Sequence, residues 1–140
     1  MKVKNLNSIS DLLEENFNNE NERRKHFRKH VTKDGGTSDP KYPDMITFTW
    51  KQFPNQRVYE EAADKFARTP ITNSDIEGYI RTKDNKYMKY NKKTQEFTVY
   101  SIEHGQPVNI TYFPCTMQQW MDIQYKYPYS RDIDPKKDVK

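Results

Sequence analysis

Ile76-Glu-Gly-Tyr-Ile-Arg-Thr-Lys-Asp-Asn-Lys-Tyr-Met-Lys-Tyr-Asn-Lys-Lys-Thr-Gln-Glu-Phe-Thr-Val-Tyr-Ser-Ile-Glu-His-Gly-Gln-Pro-Val-Asn-Ile-Thr-Tyr-Phe113 decides the fold. It is rich in β-branched and aromatic residues, and polar turn residues interrupt it at Lys83-Asp84-Asn85, at Lys92-Lys93-Thr94-Gln95 and at Glu103-His104-Gly105-Gln106. The runs between them cover 76–82, 86–91, 96–102 and 108–113. Four short runs joined by three tight connections describe an antiparallel meander. Phe97 and Val99 alternate with Thr98 and Tyr100, while Val108, Ile110 and Tyr112 alternate with Asn109, Thr111 and Phe113. That alternation predicts one face packed on helices and one left polar and aromatic.

Upstream of the meander the period lengthens to that of a helix. Ser8 with Asp11 offers a cap, and Ile9, Leu12, Leu13 and Phe17 follow at helical spacing, predicting a helix over 8–18. Residues 20–31 are strong helix formers, stopped by Gly35-Gly36. Residues 45–53 read as a short edge strand, which would be a fifth strand, or as an extended connector. A helix over 58–67 would turn Val58, Ala62, the Lys65 stem and Phe66 inward. After Pro114 a short helix is expected over 117–127. The fold class is therefore α+β. The chain is one domain over 1–140, with a helical part over about 8–68, a four-stranded meander over about 76–113 and a tail over 114–140.

Only 33% of the 140 residues are hydrophobic, so the seven Phe, ten Tyr and two Trp must supply much of the core. Trp50 and Trp120 read as core anchors, whereas 132–140 and the region around 33–42 have the composition of disordered segments. The single Cys115 excludes a disulfide within the chain, and no apolar run is long enough to enter a membrane. There is no glycine-rich phosphate loop and no nucleophile elbow.

The formal charge is +4, and the positive residues cluster. Arg23, Arg24, Lys25, Arg28, Lys29 and Lys33 form a run without an acid, and Arg81, Lys83, Lys86, Lys89, Lys92 and Lys93 are opposed locally by Asp84 alone. Brought together by folding, two such runs would bind a polyanion; apart, they are two solvated surfaces. His26 and His30 lie four apart on one helix face, within reach of one phosphate. The same pair reads equally as incidental histidines on a basic helix. A zinc site would need a third ligand that no motif supplies. Strands carrying Tyr79, Arg81, Lys89, Tyr90 and Tyr112 suit a single-stranded RNA platform, although tyrosine is also an ordinary strand residue.

Motif order adds a resemblance. His26-Phe-Arg-Lys-His30, Tyr59-Glu-Glu-Ala-Ala-Asp-Lys-Phe66, Ile80-Arg81 through Tyr87-Met-Lys-Tyr90-Asn, Lys93-Thr94-Gln-Glu-Phe97-Thr-Val99 and Ile110-Thr-Tyr-Phe-Pro114 resemble the barnase/EndoU/colicin/RelE-like nuclease domains. These stand at the C-termini of bacterial polymorphic and contact-dependent inhibition toxins and in related phage proteins. The resemblance implies a cofactor-free, metal-independent ribonuclease, with tRNA as the expected target. Its helices would lie on one side of an antiparallel sheet and its active site on the other. It also implies a cognate acidic immunity protein and delivery as part of a larger secreted toxin to a target-cell cytoplasm.

Such an enzyme must remove the 2′-hydroxyl proton, stabilise the phosphorane and protonate the 5′-oxygen. The motif order then casts His30 as acid or base with His26 as its partner. Arg81 and Lys29 become phosphate stabilisers, Thr94 and Tyr112 hydrogen-bond donors, and Arg28, Lys83, Lys89 and Tyr90 RNA contacts. Two rival readings use the same residues: a non-catalytic nucleic-acid-binding module, and a domain whose partner is a protein.

Overall fold

Three residues with positive φ mark the turns of the meander. His104 (φ 54°) with Gly105 (φ 76°) forms a two-residue hairpin connection of the type that matches strand twist, and Asn85 (57°) and Gln95 (64°) sit in the other two turns. The computed structural model describes residues 20–36, 45–71 and 74–133. Along the chain these form α1 (Glu20–His30), β1 (Val31–Thr32), β2 (Phe48–Thr49), α2 (Gln56–Arg68), β3 (Ile76–Arg81), β4 (Tyr87–Asn91), β5 (Glu96–Glu103), β6 (Gln106–Pro114), α3 (Met117–Lys126) and β7 (Tyr129–Asp132).

The antiparallel meander of four strands is present, and β7 extends it to the order β6-β5-β4-β3-β7. The fifth strand thus comes from the tail, with Ile80 opposite Arg131. Residues 45–53 do not join this sheet: Phe48 and Thr49 pair in parallel with Val31 and Thr32 as a separate two-residue ladder. Asp132 ends a strand and Ile133 is buried, so these two residues are ordered, contrary to the reading of their composition, and 134–140 lie outside the described residues. The helix expected over 8–18 lies outside the described residues.

Both faces of the sheet are covered. On one, α2 packs through Tyr59, Ala63, Phe66 and Ala67 against Tyr112, Tyr100 and Ile80. On the other, Trp120 of α3 stacks on Tyr79 and Tyr90 and touches Phe97, over a floor of Met88, Val99 and Cys115. The second face is therefore not the open polar surface that alternation predicted. The indole Nε1–H donates to Glu77 at 2.9 Å and fixes the helix to β3. Each buried aromatic ring contributes roughly 2 kcal/mol, which explains how a chain so poor in aliphatic residues holds three layers together.

Two sequence-based details change. The buried face of α2 is rotated by about one residue from the predicted one: Lys65 is exposed and Val58 only half-buried, because Tyr59 fills the space over Tyr112. In β6 a bulge opposite Val99 and Tyr100 reverses the alternation, since Val99 pairs with Thr111 but Tyr100 with Asn109. Asn109 consequently shares the α2 face with Tyr112, donating to the Ala63 carbonyl and to Thr98, while Ile110 packs with Phe113 toward α3.

Sequence dictates the helix ends directly. Asn55 Oδ1 accepts the Val58 amide at 3.0 Å to start α2, and Thr116 with Gln119 forms a reciprocal capping box at α3. α1 is tied to α2 by a two-pronged ion pair, Arg23 to Glu60 at 2.8 and 3.0 Å. Among the described residues no helix is long and apolar enough to cross a membrane.

Candidate functional site

The histidine pair sits at the β6 edge. His26 and His30 are in ring contact at 5.8 Å, and His30 stacks on Phe113 at 5.0 Å. His30 is only 4% exposed, and burial, then His26 and Lys29, hold its imidazole down to about pKa 3. Burial also lowers His26, against the raising influence of Glu22. Both rings are neutral at neutral pH, and His30 faces packed protein rather than a cleft.

Arg81 is at the opposite corner. Three strand spacings of about 4.8 Å each separate β3 from β6, and the register places Arg81 at the end of the sheet away from Thr94. Its guanidinium is engaged by Asp84 at 2.6 and 2.9 Å, which lowers the carboxyl of Asp84, and it lies over the Tyr127 ring with Lys83 nearby. The expected cleft between the histidines and Arg81 is not formed.

Two expected RNA contacts are interior residues. Lys89 is fully buried, and its Nζ donates to the carbonyls of Phe66, Ala67 and Thr69 at 2.6 to 3.2 Å, so it caps the C-terminus of α2. Burial brings its pKa down to about 8. Tyr90 is fully buried under Trp120, its hydroxyl donating to the Cys115 carbonyl at 2.8 Å. Strand periodicity places both residues correctly in β4; the long-range partners that bury them have no local signature.

Thr94 and Tyr112, by contrast, converge. Tyr112 donates its phenol to Glu96 Oε2 at 2.5 Å, and Thr94 donates its hydroxyl to Glu96 Oε1 at 2.7 Å. Glu96 opens β5, directly after the turn in which Asn91 Oδ1 accepts the amides of Lys93 and Thr94. The carboxylate lines a cleft of about 300 Å³ together with Lys65, Asn91 and Tyr112. Tyr112 itself is 1% exposed, and burial followed by the charge of Glu96 raises its pKa strongly, so it stays a donor at any physiological pH. Sequence reading passed over Glu96. Its signal was the Thr94-Gln-Glu96 spacing, but the cross-strand partner Tyr112 becomes visible only once β5 and β6 are in register.

The two basic runs are not brought together. Arg24, Lys25, Arg28, Lys29 and Lys33 are exposed along and just after α1, beside β6, whereas Lys83 and Lys86 flank the β3–β4 turn on the far side. Arg23 and Lys92 are committed to Glu60 and Glu77. Exposed cations near the cleft are Lys65 in its lining and Lys93 in the β4–β5 turn beside Thr94, with the α1 surface, where Glu20 and Glu22 pair Arg24 and Lys25, further along the β6 edge. Comparison with family models, with curated proteins and with solved structures gave no match.

Proposed function

We propose that the domain binds RNA and cleaves it at the Glu96 cleft by attack of the 2′-hydroxyl. The carrying observation is that two residues singled out by motif order, Thr94 and Tyr112, hold one carboxylate in a cleft that also contains a lysine. A carboxylate has lone pairs for more acceptors than these two donors use. Glu96 takes the 2′-hydroxyl proton while the oxygen forms its bond to phosphorus, and Thr94 and Tyr112 keep the carboxylate oriented. Lys65 neutralises the charge that builds on the phosphorane. The P–O5′ bond then breaks, the 5′-oxygen takes a proton from a water in this open cleft, the hydroxide so left takes the proton from Glu96, and the products are a 2′,3′-cyclic phosphate and a 5′-hydroxyl. The basic flank of α1 holds the substrate backbone, and an acidic immunity protein would meet the same flank.

A second reading, a nucleic-acid-binding module without catalysis, is favoured by the burial of His30 and the remoteness of Arg81, which remove the expected acid and phosphate clamp. Incubating the purified protein with total tRNA in EDTA separates the two. Fragments ending in 2′,3′-cyclic phosphate support the enzyme; tRNA retained intact supports the binder.

A further inference from the structure

A larger groove lies on the other side of the connection between β2 and α2. Phe53 contributes to the Glu96 cleft, and its neighbour Pro54 contributes to this second groove of about 710 Å³, together with Trp50, Phe27, Arg28 and Lys33. Trp50 is the anomaly. The other tryptophan, Trp120, is 1% exposed, but Trp50 is 54% exposed, contrary to its reading as a core anchor. Its backbone is nevertheless fixed: the amide donates to the Thr32 carbonyl at 3.0 Å, and the amides of Gln52 and Phe53 both close on Thr49. A large ring is thus presented to solvent from a hydrogen-bonded turn, with two exposed cations on the opposing α1–β1 wall.

An aromatic face beside cations is the arrangement that stacks an unpaired base while neutralising its phosphate. An acidic peptide would use the cations but not the bare indole face. We infer that the Trp50 groove is a stacking site for an unpaired nucleobase of single-stranded RNA, with Arg28 and Lys33 on the adjoining phosphates. Within a duplex the base faces are stacked on one another and closed to it, leaving only those of the terminal pairs. The inference deepens the RNA-binding part of the proposed function and does not depend on cleavage.

The test uses 2′-O-methyl oligouridylate, which lacks a free 2′-hydroxyl and cannot be cut. Because Trp120 is enclosed, quenching of wild-type tryptophan emission on titration reports on Trp50, and the affinities of wild type and variants are compared by the anisotropy of an end-labelled oligonucleotide. The expected result is quenching by the oligonucleotide and roughly ten-fold or greater loss of affinity in Trp50→Ala. Trp50→Phe, which keeps a ring, should retain most of the binding, and a long 2′-O-methyl duplex, whose only open base faces are at its ends, should compete at least ten-fold more weakly per nucleotide. Equal binding by Trp50→Ala and wild type, or equal competition by the duplex, overturns this inference alone. Failure of the wild type to bind any single strand overturns it together with the RNA-binding reading.

Discussion

Lys89 is a cation that folding removes from water, and its three carbonyl acceptors are the free ends of α2. Replacing it with Met takes this donor from the Ala67 and Thr69 carbonyls in the interior, while the Phe66 carbonyl keeps the Thr69 amide. Lys89→Met is expected to lose on the order of 2–3 kcal/mol in urea unfolding, with no specific effect on RNA affinity. His30 makes a pH-dependent contribution. Its folded pKa of about 3 lies below the ordinary 6.5, so the unfolded chain binds the proton more readily between those values. Stability is therefore full above about pH 6.5 and falls as pH drops toward 3, by at most about 1.4 kcal/mol per pH unit. Urea midpoints measured at pH 7 and pH 5 should diverge less in His30→Gln than in the wild type. At this scale the sequence was least legible. Lys89 and Tyr90 look like members of a polar strand face, and only the approach of α2 and α3 shows that they are inside.

The elements were far more readable, because tight turns and period-two runs are local signals. All four meander strands and the helices α1, α2 and α3 lie close to where periodicity and caps put them. The errors were those of packing: the α2 face rotated to seat Tyr59, and the β6 bulge exchanged the sides of Asn109 and Ile110. β7 went unseen because its pairing partner β3 is some fifty residues upstream. Gly78 shows why that pairing is demanding. A Cβ there would come within 2.4 Å of Ile71 and 2.8 Å of Ile133, which both pack over β3 at this point. Gly78→Val should cost about 1–3 kcal/mol and loosen β7 first. Amide exchange should accelerate at Ile133, whose N–H donates to the Gly78 carbonyl, before it does in β5.

For the whole molecule, the sheet separates features that the linear sequence invited one to combine. Histidines and Arg81 occupy different corners, while Thr94, Tyr112 and the unforeseen Glu96 share one cleft, with the Trp50 groove across the Phe53–Pro54 connection. Motif order therefore identified part of a polar cluster without revealing its centre. The central claim is that Glu96 is the proton acceptor in RNA cleavage. Its most direct test is the single-turnover rate of tRNA cleavage in EDTA for the wild type, Glu96→Gln, His30→Gln and Arg81→Ala, each checked for folding. The account predicts at least a hundred-fold loss for Glu96→Gln, in the range of general-base contributions, with His30→Gln and Arg81→Ala within a few-fold of wild type. Cleavage by Glu96→Gln at the wild-type rate, with activity abolished in His30→Gln or Arg81→Ala, would contradict it.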